Sequence, residues 1–438
     1  MLKTKTENKI PESWEIRRLG EICFTTSGGT PSRKISSYYE GTIPWVKSGE
    51  LEKGTIKETE EYISQDALKN SSAKIFPKGT LLIALYGATI GKLGFLGVDA
   101  ATNQAVCGIF QNDIVDLSFL KHFLFFNKRK LVEQSAGGAQ PNISQAILKD
   151  LSIVIPPANE QKRIVAKIEE LFSRLDAGVD SLKKAQAQLK TYRQAVLKWA
   201  FEGKFTNKKK DDNELPDGWY LEKLETVAEN LDSRRRPINK SERAKREGNI
   251  PYYGANGRTG WIDDYLFNEP LVLVVEDETF VGRELPFSYK ISGKSWVNNH
   301  AHVLKPSSKL NIDFLNYQLS YYPFLQLTTG TTGRKKLTKN ALMNATIRVC
   351  SLPLQQHVVS EIEKRLSVCD KLEESIAQGL KQAEALKQSI LKKAFEGKLV
   401  PQNPDDEPAG VLLDRIRSER EKPVATATKN STTASKKK

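Results

Sequence analysis

Two stretches of the chain, each roughly 40 residues long, alternate apolar and polar positions with a helical period. In the first, Ile168, Leu171, Leu175, Leu182, Ala185, Leu189, Tyr192, Val196 and Trp199 recur at steps of three and four, with Gly178 in the vacant slot. In the second, Ile362, Cys369, Leu372, Ile376, Ala383, Leu386 and Ile390 keep the same phase, interrupted at Arg365 and Gly379. A narrow stripe of this kind predicts two long helices that pack along a seam. Pro156-Pro157 and Pro353 stand at their starts, and Gly203 and Gly397 at their ends, the usual placement of proline and glycine around a helix.

The segments between are different in kind. Short β-branched runs such as Leu271 to Val275 and Ser152 to Ile155 are punctuated by turns such as Gly254-Ala255-Asn256-Gly257. They predict strand-rich α+β domains with loop-rich surfaces. The chain divides as 1–156 (strand-rich), 157–205 (helix), 206–214 (linker), 215–352 (strand-rich), 353–400 (helix) and 401–438, with disorder expected after about 422.

These segments repeat. Ile10-Pro11-Glu12-Ser13-Trp14 returns as Leu215-Pro216-Asp217-Gly218-Trp219, and Ala-Phe-Glu-Gly-Lys occurs identically at 200–204 and 394–398. Two copies of a domain-plus-helix unit therefore follow one another. If the seams pack antiparallel, the expectation is a rod of roughly 60 Å with a domain at each end, an approximate two-fold axis and a pseudo-cyclic chain.

Composition then narrows the partners. Lys and Arg outnumber Asp and Glu by 67 to 53, a formal charge of +14, and an excess of this size favours nucleic acid. Four scattered cysteines offer neither a zinc pair nor a disulfide framework. The polar, basic first residues carry no signal-peptide core, so a cytoplasmic setting is expected. The apolar run from Leu81 to Val98 is broken by Lys92 and glycines, as in strands rather than a membrane span.

Catalytic motifs are not legible. Gly87-Ala88-Thr89-Ile90-Gly91-Lys92 is one residue short of a phosphate loop, with Leu93 where a hydroxyl would hold magnesium; a strand-turn-strand hairpin is expected instead. No nuclease carboxylate motif and no Asn-Pro-Pro-aromatic element of adenine methylation occurs. His300-x-His302 has no carboxylate or cysteine near it in sequence, and is expected to occupy one face of a strand rather than bind metal. No catalytic and no metal residue is assigned. Side chains suited to phosphates or base edges are Lys47, Ser48, Asn103, Gln104, Gln140, Asn142, Arg234, Arg235, Arg236, Tyr253, Asn256, Arg258, Asn298, Asn299, Arg334, Lys335 and Lys336.

Over nearly its full length the chain resembles the specificity subunits of type I restriction–modification systems. The resemblance rests on Gln140-Pro141-Asn142-Ile143-Ser144 running to Pro156-Pro157 and Glu160-Gln161-Lys162-Arg163-Ile164-Val165. Ile43-Pro44-Trp45-Val46, Asn103-Gln104-Ala105, Ile250 to Gly254, Trp296 to His300 and Leu399 to Arg417 add to it. The second exit, Leu352-Pro353-Leu354-Gln355-Gln356, lacks the Pro-Pro and Glu-Gln pairs, so different contacts are expected there.

The resemblance implies two target-recognition domains reading the halves of a split, asymmetric duplex sequence. It implies two methyltransferase subunits as partners, joined by translocase-nuclease subunits. S-adenosylmethionine, ATP and Mg would belong to those partners, with no cofactor and no catalytic site in this chain. The alternatives are a specificity chain of a related restriction enzyme, an orphan copy used for domain shuffling, or a coiled-coil scaffold with two ligand-binding lobes.

Overall fold

In the computed structural model, residues 10–135, 142–205, 215–277, 280–330 and 335–421 are described. The predicted disorder after about 422 lies outside them. The chain forms two compact units, Met1–Val179 with Leu380–Lys438, and Asp180–Gly379.

Both units share one strand plan. In the first, Thr25–Ser27, Val106–Ile109, Leu81–Ala84 and Leu93–Leu96 lie side by side in that order, each antiparallel to its neighbour. Ala228–Asn230, Ala301–Pro306, Leu271–Val275 and Ser288–Ile291 repeat this in the second. The first unit adds Thr55–Ile56 at one edge. A second sheet in each unit is built on a parallel pair, Ile43–Val46 beside Ala100–Thr102 and Ile250–Gly254 beside Lys294–Val297. The central strands Leu81–Ala84 and Leu271–Val275 are buried at every residue, which is why they read as unbroken apolar runs rather than alternating ones. Gly87–Thr89 is a short turn between Leu81–Ala84 and Leu93–Leu96, the hairpin expected from its sequence.

The long helices run Ala158–Phe201 and Leu352–Phe395. In the first unit Asp176 pairs with Lys387 at 2.5 Å. In the second, Arg193 pairs with Glu373 at 3.0 Å and also with Asp370. Within the second unit Leu182 also lies against Gly379, so partner numbers fall from 379 to 373 as the others rise from 182 to 193, and the helix segments there are antiparallel. Ile168, Val196, Ile362 and Ile376 are buried in the seam, and Leu171, Leu175, Leu182, Leu189 and Ile390 are half-buried.

Four expected seam residues are corrected; one is Trp199, 37% exposed, whose neighbour Ala200 is buried instead. Tyr192, Leu372 and Leu386 are 39%, 47% and 51% exposed, and their neighbours Arg193, Glu373 and Lys387 face inward instead. A helix of 3.6 residues per turn drifts about 20° per heptad against a strict 3.5 repeat, so the packed stripe slips onto the next residue. The long side chains that take those places bury aliphatic stems while their charges pair across the seam. The same drift puts Val179, rather than Gly178, in the vacant slot.

The identical Ala-Phe-Glu-Gly-Lys copies have one structural job. Gly203 and Gly397 adopt φ of 76° and 71°, and Lys204 N–H and Lys398 N–H reach back to Trp199 O and Lys393 O, closing each helix as glycine-capped ends do. A methyl group on Gly203 would lie 2.0 Å from Pro216 Cγ, and one on Gly397 2.3 Å from Pro11 Cγ. The opening Pro-x-x-Trp turn of each domain thus packs onto a helix end, and only glycine leaves room.

The two helix starts share one set of contacts, although the second exit lacks the Pro-Pro and Glu-Gln pairs. Gln161 donates to Ile114 O and Pro156 O and accepts from Asp116 N–H. Gln355 donates to Lys309 O and Cys350 O and accepts from Asn311 N–H. The pivotal glutamine survives where its neighbours change, and Pro353 lies within the first helical turn, where its missing N–H costs nothing.

Candidate nucleic-acid interface

The polar residues picked out by type gather where parallel strands end. Ile43–Val46 delivers Lys47 and Ser48, and Ala100–Thr102 delivers Asn103 and Gln104. Asn103 N–H donates to Val46 O at 3.0 Å, joining the two ends. In the second unit Asn298 N–H donates to Tyr253 O at the same distance, bringing Tyr253, Asn256, Asn298 and Asn299 together. Two further segments extend each row. Ile143 N–H donates to Leu85 O, and Leu85 N–H to Ala105 O; the counterparts are Leu337 N–H to Glu276 O and Glu276 N–H to His300 O. Each unit therefore presents a shelf of adjacent loops, held backbone to backbone, with its side chains free to differ.

On the first shelf, Gln104 is exposed and hydrogen-bonded to Thr30, and Asn142 is exposed beside Tyr86. Asn103 has a buried Oδ1 with no partner among the described residues. Ser48 is half-buried and opens a short turn. Lys47 lies between Glu60 and Glu61 at 2.9 and 3.0 Å, and its hydrogen bond to Glu60, followed by that to Glu61, holds its ammonium above the usual lysine range. Gln140 and Arg334 lie outside the described residues.

On the second shelf Asn256 and Asn299 are exposed, Asn256 accepting from Arg283 at 2.9 Å. Arg258 covers the Trp261 ring at 4.4 Å. Asn298 Oδ1 accepts from His300 N–H, and Tyr253 tilts against Tyr289. Lys335 is half-buried, and Lys336 is exposed and pairs with Glu276 at 3.0 Å.

The basic residues from Arg234 to Arg246 do not act alike. Arg234 lies over Phe267 at 4.6 Å, Arg243 over Tyr252 at 4.6 Å and Arg246 over Trp296 at 4.8 Å. Arg235 points inward, to Glu276 at 2.5 Å, Asp232 at 3.4 Å and Ala301 O at 2.8 Å. These guanidiniums cover aromatic rings and neutralise buried carboxylates, each stacked contact contributing roughly 0.5–1 kcal/mol. Arg236 differs: it is exposed, and its guanidinium has no partner among the described residues.

Sequence reasoning missed what Arg235 serves. His302 is buried, with Nδ1 at 2.6 Å from Asp232 Oδ2 and Nε2 at 2.8 Å from Leu337 O. Glu276 lies beside it. The carboxylates found wanting near the histidines are thus supplied from distant strands: Asp232 and Glu276 at His302, and Asp277 at His300. Arg235 and Lys336 already partner these carboxylates, so the group is an ion-paired network. Burial acts most strongly on Asp232, upward, yet the His302 hydrogen bond and charge, the Val303 N–H and Arg235 together hold its carboxyl below the ordinary value. On Glu276 burial again pushes up and is outweighed by Arg235, His302 and Lys336. The only sequence signal was the alternation of the two histidines.

The C-terminal segment belongs to the first unit. Ala409 N–H donates to Ser13 O, Asp406 pairs with Arg163 at 2.6 Å, and Gln402 donates to Glu160, which also accepts from Trp14 Nε1 at 2.9 Å. Among the described residues no helix is long and apolar enough to cross a membrane.

The profile of the family described as type I restriction modification DNA specificity domain matches residues 11–190 and 216–382, one match for each copy of the repeat. The EcoKI specificity subunit of Escherichia coli K12 is 24% identical over 94% of this chain and 96% of its own length. The MjaIX specificity subunit of Methanocaldococcus jannaschii is 31% identical over 49% of this chain and 52% of its own. Among solved structures, a chain from a study of complex assembly and conformational transition in the type I R-M system shares the fold. Its TM-score is 0.71 at 22% identity, covering 89% of this chain and all of that one. The HsdS subunit of Thermoanaerobacter tengcongensis aligns with a TM-score of 0.56 at 22% identity, over 89% and 98%. Two copies of one α+β domain, each with a polar shelf at its strand ends, and a family match over both of them lead to one conclusion: the chain belongs to the type I restriction–modification DNA specificity family.

Proposed function

We propose that the chain reads a split, asymmetric duplex sequence, one half-site per recognition domain, for a complex that methylates and restricts DNA. The observation that carries this is the shelf built twice on the same backbone hydrogen bonds and bearing different polar side chains in each unit. One scaffold with two sets of side chains suits two different half-sites, since base edges are distinguished by donor and acceptor patterns. The chain works without a catalytic site of its own, beside two methyltransferase subunits and with translocase-nuclease subunits. S-adenosylmethionine, ATP and Mg belong to those partners, and the setting is the cytoplasm, where the DNA is.

Two experiments test this. Replacing residues 10–155 by another recognition domain, followed by methylation mapping in the host, should change one half-site only. A change in both, or in neither, would refute independent reading. Inserting a few residues near Ala185 to Lys190 should alter the gap between half-sites and leave each half intact, because every helical residue adds ~1.5 Å and ~100°. An altered half-site with an unchanged gap would count against helices as the spacer.

A further inference from the structure

We infer that His302, held between Asp232 and Leu337 O, is a positioning residue that sets which bases the second recognition domain accepts, and that it does so with both ring nitrogens protonated. The inference rests on the proposal that residues 215–352 read one half-site.

The donor count leads to the protonation. Both ring nitrogens of His302 face oxygens: a carboxylate at Nδ1 and a backbone carbonyl at Nε2. A carbonyl can only accept, so Nε2 carries a proton. A neutral ring would then present a lone pair to Asp232 at 2.6 Å, and an ionised carboxylate has no proton to offer. Asp232 is held ionised by the N–H of Val303 on Oδ1 and by Arg235 beside Oδ2. The second proton therefore sits on the ring. Among the described residues, the charged groups facing it are Asp232 and Arg235 from the turn after Ala228–Asn230, Glu276 after Leu271–Val275, and Lys336 before the helix Lys339–Met343.

The position explains the role. Asp232 opens the turn that exposes Arg236, Glu276 follows the central strand, and Leu337 adjoins Lys335 and Lys336. One imidazolium thus ties together three loops of the shelf, while its own side chain is too buried to touch a base. Losing a proton would turn the Nδ1 contact from attraction to lone-pair repulsion and free the Asp232 turn from the Leu337 loop.

The test uses the full chain assembled with its methyltransferase partner. Methylation is compared on duplexes carrying the mapped site and single substitutions in each half. Discrimination within the second half-site should be stronger at mildly acidic than at alkaline pH, since the contact from Nδ1 to Asp232 needs the second ring proton, while the first half-site serves as the internal reference. Asp232→Asn keeps an acceptor for Val303 N–H and supplies an N–H to a neutral ring, so it should retain discrimination and lose the pH dependence. His302→Gln should lower discrimination in the second half-site at every pH by about tenfold, the scale of one misread base pair. The same pH profile in wild type and Asp232→Asn would overturn the protonated role, and full discrimination in His302→Gln would overturn the positioning role. A wild-type complex indifferent to the second half-site would overturn the underlying reading as well, and so stands apart from both results.

Discussion

The two recognition domains are built on the same sheet and differ where its strand ends meet the loops. Cys107 and His302 hold equivalent places, opposite Ile83 and Val274 on the neighbouring central strands. In the first domain Cys107 is paired with Ser27, and Leu85 occupies the place of Glu276. Burial is the main influence on the Cys107 thiol, pushing it up to about 12, so the position is a neutral part of the core. In the second domain the same address holds an imidazole, two carboxylates and an arginine. The strand ends of such a sheet can therefore be closed by apolar packing or by a saturated ionic network, and the fold does not decide which. The ionic version is the more exacting, because every charge must keep its partner.

That difference predicts unequal sensitivity. Arg235→Ala would strip Glu276 and Asp232 of a buried partner, and breaking such a pair costs about 3–5 kcal/mol. Denaturant unfolding should show the second domain melting early, with the first unchanged. Equal loss in both domains, or none, would mean that the network is not what closes the strand ends.

A second contrast lies where the helices begin. Glu160 accepts from Trp14 and Gln402 in the first unit, whereas Leu354 holds the corresponding position and Trp219 Nε1 is buried with no partner among the described residues. Glu160→Leu would copy the second unit into the first, leaving the Trp14 indole unpaired at a cost of about 1–3 kcal/mol. Limited proteolysis should then release the C-terminal segment sooner. The converse, Leu354→Gln, gives Trp219 an acceptor and should stabilise the second unit by up to ~1 kcal/mol.

Glu160 also carries a pH signature. Burial raises its carboxyl above the usual range, against hydrogen bonds from Trp14 and Gln402 that lower it. The folded state then binds this proton more tightly than the unfolded chain. Stability falls as pH rises from the ordinary glutamate value through the raised one, and is level above it. Glu160→Gln should flatten that slope in thermal melts across mildly acidic pH. An identical slope in the variant would assign the effect elsewhere.

What the sequence disclosed follows the range of the interactions involved. Helix period, capping glycines and repeated turns are local, and the glycine shared by the two Ala-Phe-Glu-Gly-Lys copies meets a proline in each, with no room for a methyl group. The seam was legible to within one residue, since a strict heptad count ignores the drift that brings Arg193, Glu373 and Lys387 inward. The His302 network was illegible: its closest pairing joins residues 70 apart in sequence, and no local pattern marks such a meeting. The polar shelf lay between these cases. Its residue types stood out, but their grouping depends on a parallel strand pair that sequence spacing does not specify.

The basic run offers the finest division. Arg234, Arg235 and Arg236 look equivalent in sequence, yet only the last is exposed with no partner among the described residues. Arg236→Ala should change stability by no more than ~0.5 kcal/mol, as for an exposed side chain outside any network. Its effect should appear in DNA binding. If the guanidinium meets a phosphate, affinity falls for all sequences alike and the salt dependence weakens by about one counterion. If it meets a guanine, the loss concentrates at one base pair of the second half-site, at about 1–3 kcal/mol. Titrations at several salt concentrations on matched and mismatched duplexes separate the two. An unchanged affinity and slope would remove Arg236 from the interface and leave the shelf residues Asn256, Asn299 and Lys335 as the second domain's contacts.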